Sequence, residues 1–325
     1  MCCKLLLALL LACHHLTIKS QISNLKSQIT FVELNCENLF DTQHDEGKND
    51  FEFTPEGERR WTVGRYWRKL NGIGKVILSC ADDLPDIVAL IEIENDSVMR
   101  DLTRRSLLSN AGYHYLMTES PDLRGIDVAL LYLPSRFQPL CYETIGVQPL
   151  KGMRPTRDLL YVQGLTNGGD TLHLFVVHAP SRWGGEVMTR PYRLQVAQHL
   201  CRALDTLPPD ADVVVAGDFN DYAESPSLQR LAAHGLHNMT QHAVGSHGAT
   251  GTYFFQGEWR SIDHVLVSSS LVTRVDSAYI NDAPFLLRRD EKSGRQMPFR
   301  TFDGTYYKRG YSDHLPLVVS LRLGK

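Results

Sequence analysis

The chain has 325 residues, 43% hydrophobic and 22% charged, which is ordinary globular composition and enough for one large α/β domain or two small ones. A formal net charge of -3 argues against a protein held to nucleic acid by bulk positive charge, while leaving room for a local basic groove. The seven cysteines include no C-x-x-C pair, so they point to neither a structural zinc site nor a readable disulfide framework.

Met1 to Ala12 pairs a short basic start with an unbroken apolar run. That run is too short to span a bilayer as a mature helix and reads as a secretory signal, so residues 1–20 are set aside from the fold. Its end, Leu10-Leu11-Ala12-Cys13, resembles the lipobox of bacterial lipoproteins, which would leave Cys13 lipidated as the mature N-terminus. A plain cleaved signal with an incidental Cys13 is the alternative. Either way the chain is expected to be exported: periplasmic, membrane-anchored or secreted. Residues 21–28 form a polar linker, and nothing in residues 29–322 splits them into separate domains.

Ile29 to Asn35 reads as the first core strand, followed by an acidic, Gly/Pro-punctuated surface loop from Asp41 to Glu58. Within that loop His44, Asp45 and Glu46 are expected to be solvated. Apolar residues at helical spacing (Trp61, Tyr66, Leu70, Ile73, Ile77) predict an amphipathic helix over Glu58 to Ser79, and Asp86 to Glu94 reads as a second strand. Ser97 to Asn110 is a further helix, closed by Gly112. Strands are expected at Tyr113–Thr118, Asp127–Leu133 and Phe137–Ile145, then a hairpin of Leu159–Leu165 with Thr171–His178. Gly185 to Leu207 is mostly helical, with its first turn disturbed by Pro191. The β-branched run Val213-Val214-Val215 makes a buried strand that ends in Gly217-Asp218-Phe219-Asn220. A helix over Ser227–His234, a loop from Gly235 to Gly251, strands at Thr252–Phe255, Ser261–Ser268 and Val272–Tyr279, a long loop from Asp282 to Arg309 and a last strand at Leu317–Leu321 complete the chain. This alternation predicts two packed sheets flanked by helices.

Polar groups recur at the ends of apolar strands: Asn35, Glu92, His178, Asp218 with Asn220, and Asp313 with His314. Singly each has an ordinary explanation, such as a turn cap or a solvated edge. The same placement repeated five times argues for one shared site on a rigid rim. In an extended backbone residues two apart point the same way, so Asp218 and Asn220 can serve that site together.

The ordered set Asn35, Leu90-Ile91-Glu92, His178, Gly217-Asp218-Phe219-Asn220, Ile262-Asp263 and Ser312-Asp313-His314 resembles the endonuclease/exonuclease/phosphatase superfamily, across nearly the whole chain from Ile29. The resemblance implies a four-layer α-β-β-α sandwich, with two mixed sheets packed face to face. It also implies Glu92 as the main ligand of a Mg²⁺ (Mn²⁺ or Ca²⁺ as substitutes), with Asn35 beside it and Asp313 in support. By the same resemblance Asp218 orients or deprotonates the attacking water, Asn220 holds a phosphate oxygen, and His178 and His314 flank the phosphate. Asp263 would pair with a catalytic histidine and fix its tautomer. Its neighbour His264 would point away from the site as an ordinary outward-facing residue.

Arg157 matches a family position that contacts phosphate, although a loop arginine is more often solvated. Asp127 has no assigned role, and Trp183 is either a substrate-stacking aromatic or a packing residue. Ile91 stands where many relatives have Gln, and His178 where abasic-site endonucleases carry Asn; the second departure, with the export signal, argues against DNA repair. The expected function is that of an exported Mg²⁺-dependent phosphoesterase hydrolysing a phosphodiester, nuclease-like, by attack of activated water. The alternatives are a phosphomonoesterase or a phospholipid-type phosphodiesterase of the same superfamily, and, in another class, an inactive binding member. The expected partner is a phosphate-ester substrate (nucleic acid, phospholipid or sugar phosphate), handled by a monomer with no protein partner. A membrane tether through Cys13 is the one further contact expected.

Overall fold

The structure is a computed structural model and describes residues 28–291 and 293–324. The signal, the lipobox and all but the last residue of the linker lie outside the described residues. Apolar, β-branched runs become β1 (Gln28–Leu39), β2 (Ile87–Ile93), β3 (His114–Met117), β4 (Asp127–Tyr132), β5 (Phe137–Ile145), β6 (Leu159–Thr166), β7 (Thr171–His178) and β8 (Asp212–Asp218). The remaining strands are β9 (Leu236–Asn238), β10 (Tyr253–Phe255), β11 (Glu258–Arg260), β12 (Asp263–Ser268), β13 (Val275–Ile280), β14 (Leu287–Arg289), β15 (Gln296–Pro298), β16 (Phe302–Asp303), β17 (Tyr306–Tyr307) and β18 (Leu317–Arg322). The helices are α1 (Val63–Leu78), α2 (Asp96–Arg104), α3 (Glu186–Leu204) and α4 (Pro226–Ala233).

Two six-stranded sheets result, ordered β13-β18-β1-β2-β4-β3 and β5-β6-β7-β8-β12-β9. Each has one parallel pair at its centre, β1 with β2 and β7 with β8, and antiparallel neighbours outward from it. Parallel pairs need both faces covered, and here they are. One apolar core fills the space between the sheets and runs under α1 and α2. A second lies between the outer face of the other sheet and α3 and α4. β8 shows the division residue by residue: Val214 and Ala216 belong to the first core, Val213 and Val215 to the second. The fold is the four-layer α/β sandwich expected from the sequence.

Several boundaries differ from expectation. β1 runs on to Leu39 because its end pairs with Ile93 past a bulge. The helix expected to Asn110 stops at Arg104, where the Ser106 hydroxyl bonds to Leu102 O and accepts the Leu108 N–H at 3.0 Å, competing with further helical turns. The expected loop from Gly235 to Gly251 contains β9, whose three residues are too few to show a period. The Asp41–Glu58 segment is no plain surface loop either. It buries Asp50 and Phe53, and the Phe53 ring stacks on Phe40 at 4.3 Å.

Lys69, fully buried on α1, donates to Thr301 Oγ1 at 2.6 Å and to Tyr311 O, and lies 3.8 Å from Glu37 Oε2 at the end of β1. Glu37 in turn accepts the Thr301 and Phe302 N–H groups at 2.6 and 3.1 Å. Together they fix the irregular segment before β18 against the strand ends.

Gly217 has φ +150, and a Cβ there would stand 1.9 Å from Val177 O on the neighbouring parallel strand. Gly217→Ala should therefore destabilise the fold by about 2–4 kcal/mol through strain and overpacking. Chemical denaturation of the purified variant measures this, and an unchanged midpoint would refute the close approach.

Candidate active site

Three inward-facing rows of the second sheet end in polar residues at one edge: Leu174–Val176–His178 on β7, Val214–Ala216–Asp218 on β8, and Val267–Val265–Asp263 on β12. The register sets His178 opposite Asp218, and Asp218 opposite Asp263. From the facing sheet, Asn35 on β1 donates through Nδ2 to Asp218 Oδ2 at 3.1 Å. Just before β18, His314 Nδ1 meets Asp263 Oδ2 at 2.8 Å. The segment before His314 is tied to β1, since Ser312 Oγ donates to Asn35 O at 2.6 Å and accepts the His314 N–H at 3.1 Å.

Glu92 reaches the cluster by a backbone irregularity. Ile91 pairs with Asn35 and shares its inward face, so strict alternation would turn Glu92 toward the helices. Instead the ladder slips between Ile91 and Ile93, and Glu92 takes φ +63. A bulge of this kind re-aims a side chain. Glu92 Oε1 comes to lie 3.9 Å from His178 Nε2 and 2.9 Å from Arg124 Nη2, while Oε2 accepts the Asn38 N–H at 2.8 Å.

The two histidines are driven apart electrostatically. Burial disfavours a charge on His314, but Asp263, with Asp313 and Asp218 behind it, holds the imidazole well above its usual pKa, as a cation. Burial pushes His178 well below its usual value, helped by the positive charges of Arg157, Arg124 and His314, so it is neutral. His178 Nε2 stands 3.8 Å from Asp218 Oδ2, and Nδ1 has no hydrogen-bond partner. Burial, with the charge of Asp263, pushes the Asp218 carboxyl up to about 7. Pairs of titratable groups set apart in this way mark acid–base assignments.

Asn220 has φ +50; its Nδ2 donates to Ala179 O at 3.1 Å, which leaves a second amide N–H for a ligand. Arg157 is not a solvated loop residue. It is buried, bound to Asp122 Oδ2 at 3.1 Å and donating to the same Ala179 O at 2.8 Å, so it braces the wall of the site. Asp313 is paired with Arg300 at 2.9 Å. Asp127 accepts Thr118 Oγ1 and the Ser120 N–H, which closes the turn between β3 and β4. Trp183 is 83% exposed and therefore does no packing. His264 points away from the site as expected but is fully buried, donating to Asp221 O at 2.9 Å and accepting from Asn238 Nδ2 at 3.0 Å. Its outward face is covered by the helical layer, so it is a core residue rather than a surface one. A cavity of about 840 Å³ between the outer face of β5–β7 and α3 shares no residue with this cluster.

Arg124, Asp122, Arg300 and Glu33 escape sequence reasoning. The arginines and Asp122 sit in loops without a pattern. Glu33 lies inside an apolar strand, fully buried beneath Asp263 and Asp218, with neither carboxyl oxygen hydrogen-bonded. Its position two residues before Asn35, on the same face of β1, was the available signal.

Glu33, Asp218 and Asp263 crowd carboxyls into a buried site, and the donors are hard oxygens, which fits a divalent cation such as Mg²⁺. At this rim the ligand atoms of Asp218, Asp263 and His314 lie within 4.8 Å of one another, a group that omits Glu92 and Asp313. That trio is a poor cation site, since His314 carries a proton and Asp263 is committed to it and to the Thr252 hydroxyl. Glu92 and Asn35 are the other oxygen donors at the rim; both Glu92 oxygens accept protein donors, Arg124 Nη2 and the Asn38 N–H, and Asn35 Oδ1 accepts the Glu37 N–H at 2.9 Å.

Two packed mixed sheets with this acid, amide and histidine rim define a four-layer α/β sandwich with a hydrolytic type of site. A family model described as the endonuclease/exonuclease/phosphatase family matches residues 29–323, and the chain belongs to that family, whose members are metal-dependent phosphoesterases. No curated protein sequence matches the chain. Among solved structures, an endonuclease/exonuclease/phosphatase from Bacteroides vulgatus shares 15% identity at TM-score 0.62, covering 92% of this chain and 100% of its own. The mannosyl-6-phosphatase of Bacteroides thetaiotaomicron shares 17% at TM-score 0.60, covering 90% and 98%. TDP2 from D. rerio, complexed with a single-strand DNA product, shares 18% at TM-score 0.55, also covering 90% and 98%. At these identities the likeness is one of fold.

Asp263→Asn should remove the charge that keeps His314 protonated. The His314 pKa then falls, and the high-pH limb of kcat/KM moves to lower pH, with a loss of about 10²–10⁴-fold at neutral pH. A pH–rate profile of wild type and variant reads this directly; an unmoved limb would remove His314 from the role of cation.

Proposed function

We propose that this chain is an exported, Mg²⁺-dependent phosphodiesterase of nuclease type that hydrolyses its substrate by attack of activated water. The observation carrying the reading is the split pair of histidines, one held cationic by Asp263 and one neutral beside Glu92. A phosphoryl group seated between them meets a fixed positive charge at His314, which stabilises the charge that develops on its oxygens. Asp218, 3.8 Å from His178 Nε2 and within 4.8 Å of a His314 ring nitrogen, would orient the water and accept its proton, and the second amide N–H of Asn220 would donate to a phosphate oxygen. A cation held by Glu92 and Asn35 would polarise the phosphoryl oxygen. Asp313, shielded by Arg300, supports that arrangement from the far side of His314.

A surface patch beside the rim favours a polymer over a small phosphate ester. Trp183 stands out in solvent five residues after His178. Next to it the Arg182 guanidinium lies 4.3 Å over the Tyr222 ring, and Arg260 approaches the same ring at 5.9 Å. Trp183 is the exposed ring of this patch, Tyr222 is half-buried, and Arg182 and Arg260 also face Glu186 and Glu258. An exposed aromatic beside arginines can hold single-stranded nucleic acid without sequence preference, by stacking and phosphate contact. The binding of a single-strand DNA product by a protein of the same fold accords with this choice. The mannosyl-6-phosphatase of that fold makes a sugar phosphate the competing substrate.

Export rests on the basic-apolar start Met1 to Ala12, with Cys13 as the site of lipid attachment. The mass of the mature N-terminus distinguishes a lipidated Cys13 from a plain cleavage.

With chelator present, hydrolysis of single-stranded DNA should vanish and return on adding Mg²⁺, and His178→Ala or His314→Ala should cut kcat by about 10²–10⁴-fold with the fold retained. Trp183→Ala should raise KM for single-stranded DNA while leaving kcat nearly unchanged, because stacking contributes about 1–3 kcal/mol per base. The same assays run on RNA, sphingomyelin, inositol phosphates and sugar phosphates decide the class. Turnover of a sugar phosphate alone would replace the nuclease reading, and turnover of none would leave a binding protein.

A further inference from the structure

A second group of carboxylates lies on the other side of the β2 end from the phosphate-handling residues. The segment from Asp41 to Asp50 leaves β1, turns at Gly47 (φ +82) and folds over the end of β2. Its Asp41 N–H donates to Glu94 Oε2 at 2.6 Å, and its Asp45 N–H donates to Asp50 Oδ2 at 2.8 Å. Asn95 Nδ2 reaches Asp41 Oδ2 at 3.5 Å and Asp45 Oδ2 at 3.4 Å. The His44 imidazole rests on Asp50 Oδ1. Carboxylate oxygens of Asp45, Asp50 and Glu94 all fall within 4.8 Å of one another.

The chain leaves this group short of positive charge. Asp50 is 2% exposed and Glu94 5%, yet the buried Glu94 Oε1 has no hydrogen-bond partner. Burying a carboxylate oxygen without a partner is costly. Lys48, the one lysine or arginine of the segment, turns away and donates to Ser120 O at 3.1 Å and Asp122 O at 3.0 Å. Among the described residues no lysine or arginine forms an ion pair with Asp45, Asp50 or Glu94, and the His44 ring contacts Asp50 alone of the three.

We propose that Asp45, Asp50 and Glu94 hold a calcium ion. Two oxygens on opposite sides of Ca²⁺, each at about 2.4 Å, stand about 4.8 Å apart, so the three carboxylates can share one coordination sphere, with water completing it. Ca²⁺ accepts such a loop-built, irregular set, whereas Mg²⁺ demands near-ideal octahedral geometry and gives up water reluctantly. The ion would lock the segment onto the end of β2, two residues beyond Glu92. That segment also holds the neighbouring loop, through the Asn49 N–H to Leu123 O at 2.6 Å. The same loop sends Arg124 to Glu92 and Asp122 to Arg157. Calcium thus acts on the active site through position, without touching substrate.

The test uses chelator-treated protein, Ca²⁺ as the probe over a background of excess Mg²⁺ that occupies the Glu92 site, and two readouts, calorimetric titration and thermal melting. Saturating Ca²⁺ should raise the melting temperature of the wild type by about 5 °C or more. Glu94→Gln, which keeps the acceptor for the Asp41 N–H, should lose that shift, and in chelator it should melt no lower than wild type because a buried charge is gone. Asp45→Asn, at a half-buried position, gives the same loss of the Ca²⁺ shift without risk to the core. Glu92→Gln should keep both the binding event and the shift. A wild type that neither binds Ca²⁺ nor shifts, or a shift that survives in both Glu94→Gln and Asp45→Asn, overturns the site. So does a shift lost only in Glu92→Gln, which would place the ion among the phosphate-handling residues instead.

Discussion

The contact on which the rest of the site depends is the buried pair of Asp263 and His314, which joins the two sheets at their rim. Asp263 opens β12 in one sheet; His314 precedes β18 in the other. Asp263 is also held by the Thr252 hydroxyl, and His314 packs against the Tyr253 ring at 4.9 Å, so both partners are fixed from several directions. A buried ion pair gives little net stability over an apolar replacement of similar size. On the proposed function its value lies in a charge set in place before substrate arrives, which would need no reorganisation during reaction.

Around that pair the molecule accumulates like charge. Glu33, Asp218 and Asp263 lie close together with little or no exposure, and burial with mutual repulsion pushes Glu33 and Asp218 toward the protonated form. A globular core tolerates such crowding only where something compensates. Part of the compensation comes from His314 and from Arg124 on Glu92. A divalent cation bound at the neighbouring Glu92 would add further positive charge at the same rim. The same logic governs the Asp45, Asp50 and Glu94 group at the other side of β2, where the chain supplies still less positive charge.

Much of the rim was legible in the sequence because strand periodicity is strict. Apolar runs ending in His178, Asp218 and Asp263 place those residues on the inward face by parity alone, and the ordered motifs around them tie the set to its family. Glu92 was legible as a residue but not as a direction, since the bulge that turns it inward depends on how β1 and β2 pair. The plain surface-loop reading of Asp41–Glu58 failed for a related reason, although His44 and Glu46 within it are exposed as expected. Its polar composition masks Asp50, buried while accepting the Asp45 N–H at 2.8 Å, and Phe53, buried against Phe40 and Trp61. Arg157 looked like a loop arginine and proved to be a brace, because its partner Asp122 lies 35 residues away in an unpatterned loop.

By itself the sequence determined the strand-rich sandwich, the family, and the acids, amide and histidines at the strand ends, because each is a local property of spacing and residue type. Only the tertiary structure decided their electrical states. It sets His178, Asp218 and Asp263 side by side across three strands, makes one histidine a cation and the other neutral, and leaves Glu33 and Glu94 buried without full hydrogen bonding. Charge state follows from desolvation and from neighbours within a few ångströms, and those neighbours come from segments far apart along the chain.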